Sequence, residues 1–211
     1  MGRLYLRALE AANHWDEYAE ARGEITAPLS RDVSLRVSYG AASDLTTLSA
    51  LGPDDLQVVE ITCTKLDDAQ LRNILHLTGL IGLALWETFI TDAAFICLWK
   101  LSNLRRLDIG DTRITDEGLS FVGGMVFLEE LTLLNTGIGN RGLRHIESLP
   151  RLKRLDLMGT QVNDAGFESL KMLTGLEYLR IIDTDISYPV YARLKRTLTN
   201  CRIEYHEFAR V

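Results

Sequence analysis

One leucine returns every 24 residues, as Leu56, Leu80, Leu104, Leu128, Leu152 and Leu176. Three residues on lies a second apolar column, Leu35, Val59, Leu83, Leu107, Leu131, Leu155 and Leu179. Two further on lies a third, Val37, Ile61, Leu85, Ile109, Leu133, Leu157 and Ile181. Apolar residues two apart predict a strand with one buried face. A single such unit has nothing to bury that face against, so it must stack on its neighbours. Strands stacked by translation form a parallel sheet. A phrase written this many times is architecture, because a reaction requires one site.

Beyond each strand stands a hydroxyl column, Thr64, Thr88, Thr112, Thr136, Thr160 and Thr184, with Gly40 in the degenerate first copy. A small polar side chain there can bond the backbone where the strand turns away. An apolar residue follows (Leu66, Ile90, Ile114, Ile138, Val162, Ile186), and two places later Asp44, Asp68, Asp92, Asp116, Asn140 or Asp164. Asp and Asn in this place predict helix N-caps. Apolar residues then fall every third position, as in Leu119, Val122 and Met125. Each repeat reads as strand, turn and short helix.

The pattern L-x-x-L-x-L-x-x-T-x-I-x-D-x-G-L is nearly whole in LRRLDIGDTRITDEGL from Leu104. It resembles the leucine-rich repeat, with Thr where many members carry Asn. The repeat length and the Thr-Asp-x-Gly-Leu phrase look like the repeats of bacterial, planctomycete-type leucine-rich repeat proteins. They are less closely similar to those of ribonuclease inhibitor and F-box substrate receptors. The resemblance covers roughly residues 32–205 and implies an α/β right-handed solenoid, a horseshoe with about eight parallel strands on its concave side and short helices on its convex side. It also implies a curved binding scaffold.

The chain divides into an N-terminal segment, 1–31, and the repeat domain, 32–211, with a C-terminal cap from about 188. Residues 3–22 place Leu4, Ala8, Leu9, Ala12, Trp15, Tyr18 and Ala19 on one side of an amphipathic helix. That helix would serve as a cap over the first repeat or as a dock for a preceding domain or a partner. At the other end Pro189 suits the first turn of a longer helix. Ile203 and Tyr205 fall in register with the strand columns, predicting a closing strand.

The charge of -6, from 29 acidic and 23 basic residues, argues against nucleic acid or an anionic membrane as partner. No apolar run is long enough to span a bilayer, and the acidic N-terminus lacks a signal-peptide pattern. Cys63, Cys97 and Cys201 are odd in number and far apart, which fits a reducing, cytoplasmic setting. His14, His76, His145 and His206 sit at unrelated repeat positions, and the cysteines lack metal-ligand spacing. Neither an enzyme nor a cofactor or metal is expected.

Function is therefore expected on the outward side of the sheet. At the strand start the sign alternates along Arg105, Glu129, Lys153, Glu177 and along Arg106, Glu130, Arg154, Tyr178, which predicts a ladder of lateral ion pairs. Beyond the third buried column, Ser38, Thr62, Trp86, Gly110, Leu134, Met158 and Ile182 form an outward column that is largely apolar, with a notch at Gly110. Either the chain bends and tucks these groups under the turn, or they face a partner. The expected site takes Trp86, Leu134, Met158, Tyr178 and Ile182 as anchors, with Arg106, Asp108, Glu130, Asp156 and Arg180 setting orientation. The partner is another protein, bound non-catalytically; self-association is possible. The alternative is a structural or assembly subunit, or an inhibitor-type protein, that contacts its partner through the N-terminal helix.

Overall fold

A computed structural model describes residues 4–8, 19–20, 33–37 and 45–206. Eight strands lie parallel and in sequence order: β3 (Val33–Val37), β4 (Val58–Ile61), β5 (Gly82–Ala84), β6 (Arg106–Asp108), β7 (Glu130–Thr132), β8 (Arg154–Asp156), β9 (Tyr178–Arg180) and β10 (Arg202–Glu204). The register sets Val59 beside Leu83, Leu107, Leu131, Leu155, Leu179 and finally Ile203, so the sequence period is the pairing register. All three apolar columns are buried wherever their side chains are described, apart from the half-buried Ile203 and Tyr205 of the closing strand's register. They join the helix-side residues Leu71, Ile74, Leu119, Val122, Leu143 and Leu170 in one continuous core.

The return leg of each repeat carries a short helix: α1 (Asp68–Leu71), α2 (Asp92–Leu98), α3 (Asp116–Leu119), α4 (Asn140–Ile146) and α5 (Phe167–Leu170). The hydroxyl column ends the strands as expected. Thr88, Thr112, Thr136 and Thr160 donate to the carbonyls of Leu85, Ile109, Leu133 and Leu157 at 2.6–2.7 Å and are buried while doing so. Each bond meets a carbonyl where the strand departs, and the Leu157 carbonyl also accepts from Thr160 N–H at 3.2 Å.

The expected N-caps are corrected by one residue from Asp68 onward, Asp44 lying outside the described residues. The caps are Asp67, Thr91, Thr115, Gly139 and Asn163. The Asp/Asn column occupies the first helical position and reaches into the next repeat. Asp68 accepts from Thr91 N and Oγ1 at 2.8 and 2.6 Å, and Asp92 accepts from Thr115 N and Oγ1 at 2.8 and 2.7 Å. Asp116, Asn140 and Asp164 accept from the backbone N–H of Gly139, Asn163 and Ser187. The repeated Asp or Asn therefore ties repeat to repeat, because its side-chain oxygen meets a backbone N–H of the neighbouring turn.

The array closes with α6 (Tyr188–Thr197), which carries Pro189 in its first turn, and with β10. Tyr191 of α6 stacks on Tyr205 at 4.4 Å between ring centroids. At the opposite end the helix expected over residues 3–22 is overturned where the chain is described. Leu4–Ala8 is a strand, β1, antiparallel to β3, and Ala19–Glu20 is a second short strand, β2, antiparallel to β1. The rest of that segment, including Trp15, lies outside the described residues. The edge of β3 explains the change. An unpaired row of N–H and C=O groups is met by a strand, whereas a helix would leave it open. Leu4, Leu6 and Ala8 also alternate, and they fall opposite Val37, Leu35 and Val33.

Candidate functional site

Between the third buried column and the threonines the backbone turns left-handed in every described repeat, at Cys63, Glu87, Asp111, Asn135, Gly159 and Asp183, with φ from 49° to 67°. Asp, Asn and Gly adopt this region at low cost, whereas Cys63 and Glu87 are strained there. The turn lifts the preceding residue, the apolar outward column, to the rim of the sheet. Thr62, Trp86, Leu134, Met158 and Ile182 are all half-buried. They are neither tucked away nor standing free.

Gly110 is not an empty notch. A Cβ there would fall 2.9 Å from Trp86 Cδ1, 3.2 Å from Leu134 Cβ and 3.3 Å from Asp108 Oδ1. The indole edge thus lies over the glycine, in space that a side chain at 110 would claim. The expected anchors Trp86 and Leu134 both border this gap, and so does the Asp108 carboxylate. Asp108 Oδ1 accepts from Gly110 N–H at 3.0 Å, and Asp156 Oδ1 accepts from Met158 N–H at 2.9 Å.

The expected orienting residues divide. Asp156 and Arg180 meet, with Arg180 Nη1 donating to Asp156 Oδ2 at 3.2 Å, and Arg180 Nε lies 3.9 Å from Glu204 Oε2. Tyr178 donates its hydroxyl to Glu204 at 2.9 Å, and Arg154 Cζ lies 5.0 Å from the centre of its ring. Burial, followed by the bond to Glu204, holds the Tyr178 phenol above its ordinary range. Arg106 and Glu130 are exposed and opposite one another in register, with Arg106 leaning over Gly82. The strand-start ladder is present where Glu129 sits between Arg105 at 3.5 Å and Lys153 at 3.7 Å.

Glu204, Arg154 and Gly110 complete the site and were not among the expected residues. A signal for Glu204 exists in the sequence: Arg36, Glu60, Ala84, Asp108, Thr132, Asp156, Arg180 and Glu204 are spaced by 24 and form one column across the sheet. No sequence signal tells that Trp86 would lean over Gly110, because that is a rotamer choice.

The chemistry of Cys63 runs against nucleophilic use. Its thiol bonds to the Glu87 carboxylate, and this bond, followed by burial, pushes its pKa up and disfavours the thiolate. Burial pushes Cys201 up to about 11. His76 bonds the Leu51 carbonyl at 3.1 Å, a structural role. Among the described residues no cluster of His, Cys, Asp and Glu could hold a metal ion.

A family model described as Leucine Rich repeat matches residues 100–123 and 149–171. The sequence matches no curated protein. Among solved structures, an internalin C2 of Listeria monocytogenes is similar at 25% identity and a TM-score of 0.60, covering 77% of this chain and 66% of that one. An internalin (inlF) of the same organism is similar at 21% identity and a TM-score of 0.58, over 79% of this chain and 53% of that one. A leucine-rich repeat protein of Leptospira interrogans is similar at 20% and 0.51, over 72% and 37%. The chain thus spans about half to two thirds of the length of the two internalins. With eight parallel strands, short helices and a matching repeat, its fold is that of the leucine-rich repeat horseshoe.

Proposed function

We propose that this chain is a non-catalytic protein-binding module that seats its partner on the concave sheet, across the strip from Trp86 through Leu134 and Met158 to Ile182. Leucine-rich repeat solenoids are commonly interaction modules, and the reading is carried here by the strip itself. Large apolar side chains are held half-buried in adjacent repeats at the rim, where packing alone would favour burying them fully or replacing them with polar groups. Tyr178, Arg180 and Asp156 border its C-terminal end, and Arg106, Asp108 and Glu130 border its middle. Three free cysteines fit a reducing setting, and a bacterial cytoplasm of the planctomycete type is the setting we infer. No described helix is long and apolar enough to cross a membrane.

The test is a capture from native lysate with the wild type beside a Leu134→Glu, Met158→Glu double variant of equal melting temperature, followed by mass spectrometry. A protein retained by the wild type alone, and rebinding as a purified component, supports the concave strip. Identical captures by both proteins would move the site elsewhere and reduce the strip to packing.

A further inference from the structure

The middle outward column contains one carboxylate whose charge is not met. Glu60 takes Arg36 at 2.5 Å one strand away, Asp156 takes Arg180 at 3.2 Å, and Glu204 takes Arg202 at 2.8 Å. Asp108 has Ala84 and Thr132 as its strand neighbours, and neither can supply a cation. Arg106, two residues back on the same strand, leans over Gly82 instead. One Asp108 oxygen is bonded by Gly110 N–H. Among the described residues the charges that act on it are acids: burial, followed by Asp156, Asp111 and Glu60, raises the carboxyl's pKa against the bond from Gly110 N–H. The Trp86 indole borders the same carboxylate across Gly110.

We propose that Asp108 and Trp86 together form the seat for one lysine or arginine side chain of the protein partner, with the apolar residues flanking that cation lying on Leu134 and Met158. This inference rests on the concave-face reading and names the chemistry of its occupant. A carboxylate accepts hydrogen bonds from an ammonium or guanidinium, and an indole face attracts the same cation electrostatically. Asp111, which accepts from the neutral Asn135 amide, adds negative charge that favours a basic approach, whereas Glu60 and Asp156 are already paired with Arg36 and Arg180. The matched occupant is an extended segment that carries a basic residue between apolar ones.

The test uses the whole chain as bait for a random peptide library displayed on phage. Selected peptides are then synthesised with a fluorophore, each beside a copy in which its basic residue is glutamine. Anisotropy gives the Kd of each pair for the wild type, Asp108→Asn, Trp86→Leu and Met158→Glu, all checked by thermal melts. Asparagine keeps the acceptor that Gly110 N–H requires. The proposal expects a shared Lys or Arg beside apolar residues, and a loss of about tenfold or more on the glutamine swap with the wild type. With Asp108→Asn the same swap should cost little. Peptides that share no basic residue, a swap that costs the same on both proteins, or no enriched peptide overturns it. If such peptides are lost on Met158→Glu, the concave face stands and the cation seat alone falls. If Met158→Glu binds them equally well, both readings fall together.

Discussion

The two halves of the middle outward column differ in how their charges are met. Towards the C-terminus, Asp156, Arg180, Glu204 and the Tyr178 hydroxyl form a chain of contacts one strand apart. In the middle, Asp108 lies between Ala84 and Thr132 with an indole for its neighbour. Both stretches ride on one parallel sheet, over the same buried columns. The scaffold therefore does not decide which outward charges are satisfied. A repeat array fixes where side chains meet and leaves each site free to pair internally or to wait for a partner.

The largest expected effect falls on the scaffold that both halves share. Leu131→Ala, mid-array and buried between Leu107 and Leu155, should cost about 2–5 kcal/mol in denaturant unfolding. A small loss there would mean that the halves are not joined by one continuous core. Next comes the tie between repeats. Asp92→Ala removes both bonds to Thr115 and leaves its N–H unpaired, which should cost about 1–3 kcal/mol by the same measurement.

The comparison itself is sharpened by two smaller effects. Arg180→Ala should cost roughly 1 kcal/mol or less, since its pairs are partly exposed, and the loss should shrink in high salt. Asp108→Asn should go the other way, with a slight rise in melting temperature at neutral pH. The sign follows from linkage: a carboxyl whose folded pKa is raised binds more protons folded than unfolded, so its ionisation destabilises the fold as pH rises through the window between the two values. The variant's gain should therefore vanish below the ordinary carboxylate value of 3.8. A loss on Asp108→Asn matching that of Arg180→Ala would erase the distinction between the two halves.

Most of the fold was legible because each repeat touches chiefly its two neighbours, so a period in sequence is a contact in space. Leu107 beside Leu131, Thr112 under its turn and Pro189 opening the last helix all followed from that. The Asp column was legible as a helix start but misassigned by one residue. The carboxylate of Asp92 could have capped its own helix, and only the position of the Thr115 N–H in the next repeat shows that it does not. For the candidate site, the apolar column from Trp86 to Ile182 was readable by alternation, whereas its closure over Gly110 was not.

The sequence by itself determined the period, the register, the buried columns and the parallel run of the repeat strands, because a 24-residue repeat of apolar spacing buries its faces by stacking on its neighbours. Only the tertiary structure decided how the array ends and which outward groups are paired. The edge of β3 takes β1 as a strand because an open row of backbone donors and acceptors outweighs a helical pattern written on polar and apolar residues alike. The pairing of Asp156 and the isolation of Asp108 depend on what stands one strand away and which rotamer it takes, and a period of the chain carries no record of rotamers.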